Sequence, residues 1–122
     1  MLQLKPLDPA CPIDRQLNAA QSPVVLVNVF TVDPADADAL VKAWEADANW
    51  MKKQPGYIST QLHRAVGPST MFFNYAVWES VAHFRQAFAH PDFHASLAAY
   101  PNSTVAAPHL FEKIAVANLC AA

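Results

Sequence analysis

The sequence predicts one α+β domain with the order β-α-β-β-α-β, the split βαβ arrangement of ferredoxin-like folds. Three observations lead there. The chain has 122 residues, enough for one sizeable core. Four strand-like runs alternate with two amphipathic helical stretches in that order. The strand runs are apolar on both parities, whereas two helices can cover only one face of such a sheet. The uncovered face is most economically packed against the same face of a second copy, so fold and homodimer follow from one argument.

Residues 1–22 carry Pro6, Pro9 and Pro12 and show no clear periodicity. They are read as an N-terminal arm that wraps the body, wraps a partner subunit or stays disordered, and residues 23–122 as the domain proper. The first strand is Val24–Val32, in which eight of nine residues are β-branched, aromatic or leucine. The exception is Asn28, whose carboxamide brings two donors and an acceptor into an apolar run. Leaving such a group unpaired costs roughly 1–3 kcal/mol, so a structural partner or a ligand must satisfy it.

Asp33-Pro34-Ala35-Asp36 reads as a helix start, with Asp33 as N-cap and Pro34 at the first helical position. That helix extends to about Lys53, with Ala37, Leu40, Val41, Trp44, Ala48 and Met51 on one stripe and Trp50 off it, toward solvent or a partner chain. Gln54-Pro55-Gly56 ends it. Tyr57–Ala65 is the second strand, with Ile58, Thr60, Leu62 and Arg64 alternating against Tyr57, Ser59, Gln61 and His63. A turn at Gly67-Pro68-Ser69 leads to the third strand, Thr70–Trp78. Ser80 caps a second helix bearing Val81, Phe84 and Phe88, and Pro91 starts a further helical stretch to about Tyr100. An irregular segment with Pro101 and Pro108 precedes a fourth strand at His109–Leu119.

Composition narrows the function classes. A net charge of −2 and a pI near 6.2 make no electrostatic case for nucleic acid. No apolar run is long enough to span a bilayer, and the first twenty residues lack the apolar core of a secretory signal. Cys11 and Cys120 form no metal spacing or disulfide framework, which fits free thiols in the cytoplasm. With only Gly56 and Gly67 there is no phosphate-binding loop, hence no visible flavin or nicotinamide motif. His90-Pro91-Asp92-Phe93-His94 has the composition of a metal site, but Pro91 favours a helix start there and leaves His90 as a cap. No metal and no cofactor are therefore expected.

Several segments together resemble the antibiotic biosynthesis monooxygenase superfamily of dimeric α+β barrels. They are Val27-Asn28-Val29-Phe30-Thr31-Val32, Gln54-Pro55-Gly56-Tyr57, Tyr75-Ala76-Val77-Trp78-Glu79-Ser80, Ala82-His83-Phe84-Arg85-Gln86-Ala87-Phe88 and His90-Pro91-Asp92-Phe93. The likeness covers about residues 24 to 119. It implies an oxygenase of polycyclic phenols that uses no cofactor, or a haem-degrading monooxygenase. The haem-degrading branch implies a first-strand Asn, a Trp ending the third strand and a histidine on the second helical region. Asn28 and Trp78 match the first two, but the third position falls at about Leu97, and leucine cannot ligate iron. His94 lies three residues earlier, on a neighbouring helical face.

The leading expectation is thus a cofactor-independent monooxygenase for a small aromatic or polyketide-like molecule. Asn28 and Trp78 would stabilise the substrate anion and His63 would act as base, while Phe30, Trp44, Phe72 and Asn74 line the substrate cavity. Of His63 and Arg64 only one can face the helices. The alternatives are haem binding and a non-catalytic dimer that binds a small hydrophobic ligand.

Overall fold

The computed structural model describes residues 1–122, and its elements follow the chain as β1 (Gln3–Leu4), α1 (Ile13–Gln16), β2 (Val24–Thr31), α2 (Ala37–Met51), β3 (Tyr57–Arg64), β4 (Met71–Trp78), α3 (Val81–Phe88), α4 (Pro91–Ser96) and β5 (Val105–Phe111). Short 3-10 turns at Pro34–Asp36 and Leu97–Ala99 lead into α2 and out of α4. The five strands form one sheet in the order β1-β5-β2-β4-β3. Its four longer strands pair antiparallel, while β1 joins parallel to β5. From β2 to β5 this is the α+β, ferredoxin-like order, with the helices on one face of the sheet.

Local chemistry accounts for most boundaries. Pro34 opens the 3-10 turn that precedes α2, and the Asp33 side chain makes no capping bond. The long helix therefore begins at Ala37 and ends at Met51, a turn shorter at its start than the sequence implies. Gly56 then turns the chain with φ +85°, a conformation that favours glycine. The Ser80 hydroxyl accepts from the His83 amide at 3.1 Å, and His90 Nδ1 accepts from the Asp92 amide at 3.0 Å, so both residues are N-caps. Trp50 packs inward within the chain, its ring centroid 5.1 Å from His90 and 6.5 Å from Phe93.

The last strand differs from the expected His109–Leu119: it is Val105–Phe111 and contains Pro108. Proline is tolerated because of the direction its missing N–H would take. Lys5 N–H donates to Ala106 C=O, and Leu110 N–H donates to Gln16 Oε1, so residues of this parity bond away from β2. Pro108 falls between those two contacts, on the outer side of β5. The Gln16 carboxamide acts there as a short surrogate strand, since its Nε2 also donates to Leu110 C=O at 2.9 Å. The arm thus closes one sheet edge of its own chain, burying Leu2 and Ile13. Residues 112–122 lie exposed beyond the sheet, with a single bridge between Val116 and Cys120.

Two hydrophobic clusters lie between sheet and helices. One gathers Val24, Leu26, Trp78, Phe84 and Phe88, the other Leu2, Phe30, Leu40, Phe72 and Tyr100. The opposite face of the sheet carries Val25, Val27 and Val29 of β2 across from Val77, Tyr75 and Phe73 of β4. Phe73 and Met71 are exposed there.

Candidate functional site

A cavity lies where the two clusters meet, and it draws its walls from both: Leu26, Trp78 and Phe84 from one, Phe30, Leu97 and Tyr100 from the other. Its enclosed volume is about 70 Å³, and it is bounded largely by apolar side chains, as small-molecule sites are. Its floor is the helix-facing parity of the sheet. Asn28 and Asn74 are direct cross-strand partners on β2 and β4, so both carboxamides emerge side by side. Trp78 ends the same row of β4, 2 % exposed, with the Tyr57 and Phe84 rings edge-on to it at 5.7 and 5.8 Å.

The two asparagines differ in what they offer. Thr60 Oγ1 donates to Asn74 Oδ1 at 2.5 Å, which orients that amide and leaves its NH₂ for the cavity. Asn28 Oδ1 is shielded from solvent and has no hydrogen-bond partner in the protein. The cost anticipated for Asn28 is therefore not met from within the chain, the condition that a bound ligand would relieve.

Of the residues singled out in the sequence, Asn28, Trp78, Phe30, Trp44 and Asn74 line this cavity. Phe72 shares their face of β4, but it is buried in the second cluster beneath the Arg64 guanidinium, 5.0 Å away, and does not line the cavity. His63 is also placed elsewhere. Its register partner is Phe73, and the two rings stack 4.2 Å apart on the open face, so His63 cannot reach a ligand inside this cavity. Arg64 takes the helix-facing parity instead, paired with Phe72.

A bulge at Ile58 changes the parity of β3. Tyr57 pairs with Trp78 while Ser59 pairs with Val77, so Tyr57 joins Thr60 on the cavity side rather than Gln61 and His63. Leu97, on which the resemblance places the histidine of the haem-degrading branch, lines the cavity, and no histidine does. The residues present do not fit the histidine-ligated haem of that branch.

One polar group in the wall was not anticipated. Asp47 of α2 is 7 % exposed and lines the cavity. The Ser96 hydroxyl lies 2.5 Å from its Oδ1 and 2.6 Å from the Phe93 carbonyl oxygen, two acceptors for one proton, and the Tyr100 hydroxyl donates to its Oδ2 at 2.8 Å. Burial pushes the Asp47 carboxyl above its ordinary range, with the two hydrogen bonds acting in the opposite direction. Burial and the Asp47 charge together push the Tyr100 phenol far upward, and burial also raises Tyr57, so both remain O–H donors at neutral pH. The sequence does carry a signal for Asp47. It lies seven residues after Leu40 and three after Trp44, on the apolar stripe of the helix, where a carboxylate is out of place.

Comparison with known proteins bears on this geometry. A family model described as antibiotic biosynthesis monooxygenase matches residues 23–99. SnoaB, a cofactor-independent oxygenase from Streptomyces nogalater, is 26% identical over 80% of this chain and 99% of its own, with a TM-score of 0.72. A candidate monooxygenase from Shewanella loihica PV-4 is 33% identical over 81% of this chain and 100% of its own, with a TM-score of 0.67. A protein from Caulobacter crescentus CB15, 19% identical over 78% of this chain and 92% of its own, shares the fold with a TM-score of 0.70. A comparison with curated protein sequences finds no match. With the family model spanning well over half of its length, the chain belongs to the antibiotic biosynthesis monooxygenase family.

Proposed function

We propose that this protein is a cofactor-independent monooxygenase acting on a small, electron-rich aromatic phenol or enol, and that it works as a homodimer. The observation that carries the reading is the Asn28 carboxamide, its Oδ1 without a partner, beside the oriented Asn74 amide and the Trp78 indole, in a largely apolar cavity. The 26% identity to a cofactor-independent oxygenase supports the same reading. The dimer is supported by the apolar open face of the sheet.

In this chemistry the substrate loses a proton and its electron-rich anion reacts with dioxygen directly. One oxygen atom forms a new carbonyl, and the other leaves as water with the two hydrogens of the oxidised carbon. That carbon supplies all four electrons, so no outside reductant enters. The protein's part is to hold the anion away from water and to donate hydrogen bonds to its oxygen, the task of the Asn28 and Asn74 NH₂ groups and the Trp78 N–H, while the unpartnered Asn28 Oδ1 accepts from the substrate's hydroxyl before its proton leaves.

Anthrone is a suitable probe, since its methylene becomes the carbonyl of anthraquinone. The wild-type protein is expected to take up oxygen with anthrone, and Asn28→Ala to lose roughly 10²–10³-fold in turnover, the usual cost of one oxyanion donor. Full activity in Asn28→Ala would remove this residue from the centre of the mechanism.

A further inference from the structure

We propose that Asp47 is the base that takes the substrate's proton in this cavity, with Ser96 and Tyr100 as the positioning residues that hold it. This rests on the oxygenase reading above and gives its first step a residue.

Elimination and geometry lead to the same group. A base must line the cavity, and Asp47 is the only carboxylate among the lining residues, which include no histidine, lysine, arginine or glutamate. The two other titratable groups there, Tyr57 and Tyr100, are protonated donors. On α2 itself Lys42 and Glu45 are exposed, as are Asp92 and His94 on α4. Asp47 projects from α2, whereas the amide and indole donors project from the sheet. Proton acceptor and oxyanion donors therefore belong to different walls of one space.

The network suits the role. One Asp47 oxygen accepts from Tyr100 and the other meets the Ser96 hydroxyl, whose proton it shares with the Phe93 carbonyl, which leaves each oxygen a lone pair for a proton. Tyr100 is itself held by stacking on Phe30, with ring centroids 6.2 Å apart. A mere tie between α2 and the Leu97–Ala99 turn could be made by a neutral amide without burying a charge. A carboxylate kept there at an energetic cost, in a cavity, points to use.

The step balances. An Asp47 oxygen takes a proton from the substrate's acidic C–H or O–H, and the carbanion adds dioxygen to form a peroxide anion. Asp47 returns its proton to the terminal peroxide oxygen. The hydroperoxide then loses water, made of its terminal OH and the remaining C–H hydrogen, and the carbonyl forms.

Proton abstraction can be read without oxygen, as deuterium wash-in to the anthrone methylene in D₂O, followed anaerobically by NMR across pH. The wild type is expected to accelerate wash-in along a limb that rises as Asp47 ionises. Asp47→Asn should lose roughly 10²–10⁴-fold below the pKa of anthrone, the usual worth of a general base, with the gap closing where anthrone is ionised already. Ser96→Ala removes a hydrogen bond that favours the charged carboxylate, so its limb should move to higher pH. It gives an independent reading should Asp47→Asn fail to fold. Equal wash-in by wild type and Asp47→Asn, or an unmoved limb in Ser96→Ala, would overturn the assignment. Admitting air tests the other reading separately: wash-in without oxygen uptake would keep Asp47 as base and sink the oxygenase.

Discussion

Asp47 and Asn28 set the same physical problem in different ways, because each places polar atoms where water is scarce. Asn28 stands out in the sequence since it interrupts a strand of β-branched residues. Asp47 is harder to see, because charged residues are common on a helix and only its angular position marks it as inward. Its burial has a consequence for stability. The carboxyl is raised above its ordinary value of 3.8, so the folded state holds its proton longer than the unfolded chain does. As pH rises from that value through the raised one, the unfolded chain ionises first and the folded state loses stability. Asp47→Asn, with no charge to bury, should therefore melt above the wild type at neutral pH. The gap should shrink below the ordinary aspartate pKa. Thermal melts at the two pH values check this, and a gap independent of pH would contradict it.

At the scale of elements, the periodic patterns and turn residues locate β2, α2, β3, β4 and α3 to within a few positions, because those signals are local. The Ser80 cap and the Gly56 turn are examples. Gly56 has two reasons to be glycine: its positive φ, and a position where a Cβ would run into the His83 ring. Gly56→Ala should cost at least about 1–3 kcal/mol, the scale of a forced backbone conformation. Chemical denaturation would measure it, and an unchanged midpoint would show that the turn relaxes freely. Two of the departures from expectation share one cause. Pro108 looks like a strand breaker until β1 and Gln16 define which side of β5 needs donors. The bulge at Ile58 is likewise invisible until β3 is paired with β4. Both depend on a neighbouring strand distant in sequence.

For the whole molecule, the helices and the sheet leave two apolar surfaces, one folded into a cavity and one facing outward. The outward one carries Val27, Val29, Phe73 and Tyr75, with His63 stacked on Phe73. If it joins two copies, as proposed, Phe73→Asp should convert the dimer into a folded monomer, since a charge there would be buried without a partner. Size-exclusion chromatography with light scattering reads the outcome, and a wild type already monomeric at micromolar concentration would remove the dimer. The arm belongs to this scale too. Leu2 and Leu4 line the cavity from a segment that carries no periodic signal, so its place follows from contacts with distant parts of the chain, pairing with β5 first among them. No helix is long and apolar enough to cross a membrane.

By itself the sequence determined the order of elements from β2 to β5, the two-sided apolar strands, and the pair Asn28 and Trp78 as residues to explain. These depend on composition and spacing within single segments, where backbone preference and burial act locally. The tertiary structure alone decided which groups meet. It set Asn74 directly across from Asn28, gave Thr60 the role of orienting it, turned His63 outward and brought Asp47 in. The physical reason is register. One residue of slip or one bulge exchanges the two faces of a strand, and the hydrogen bonds that choose between them come from distant parts of the chain.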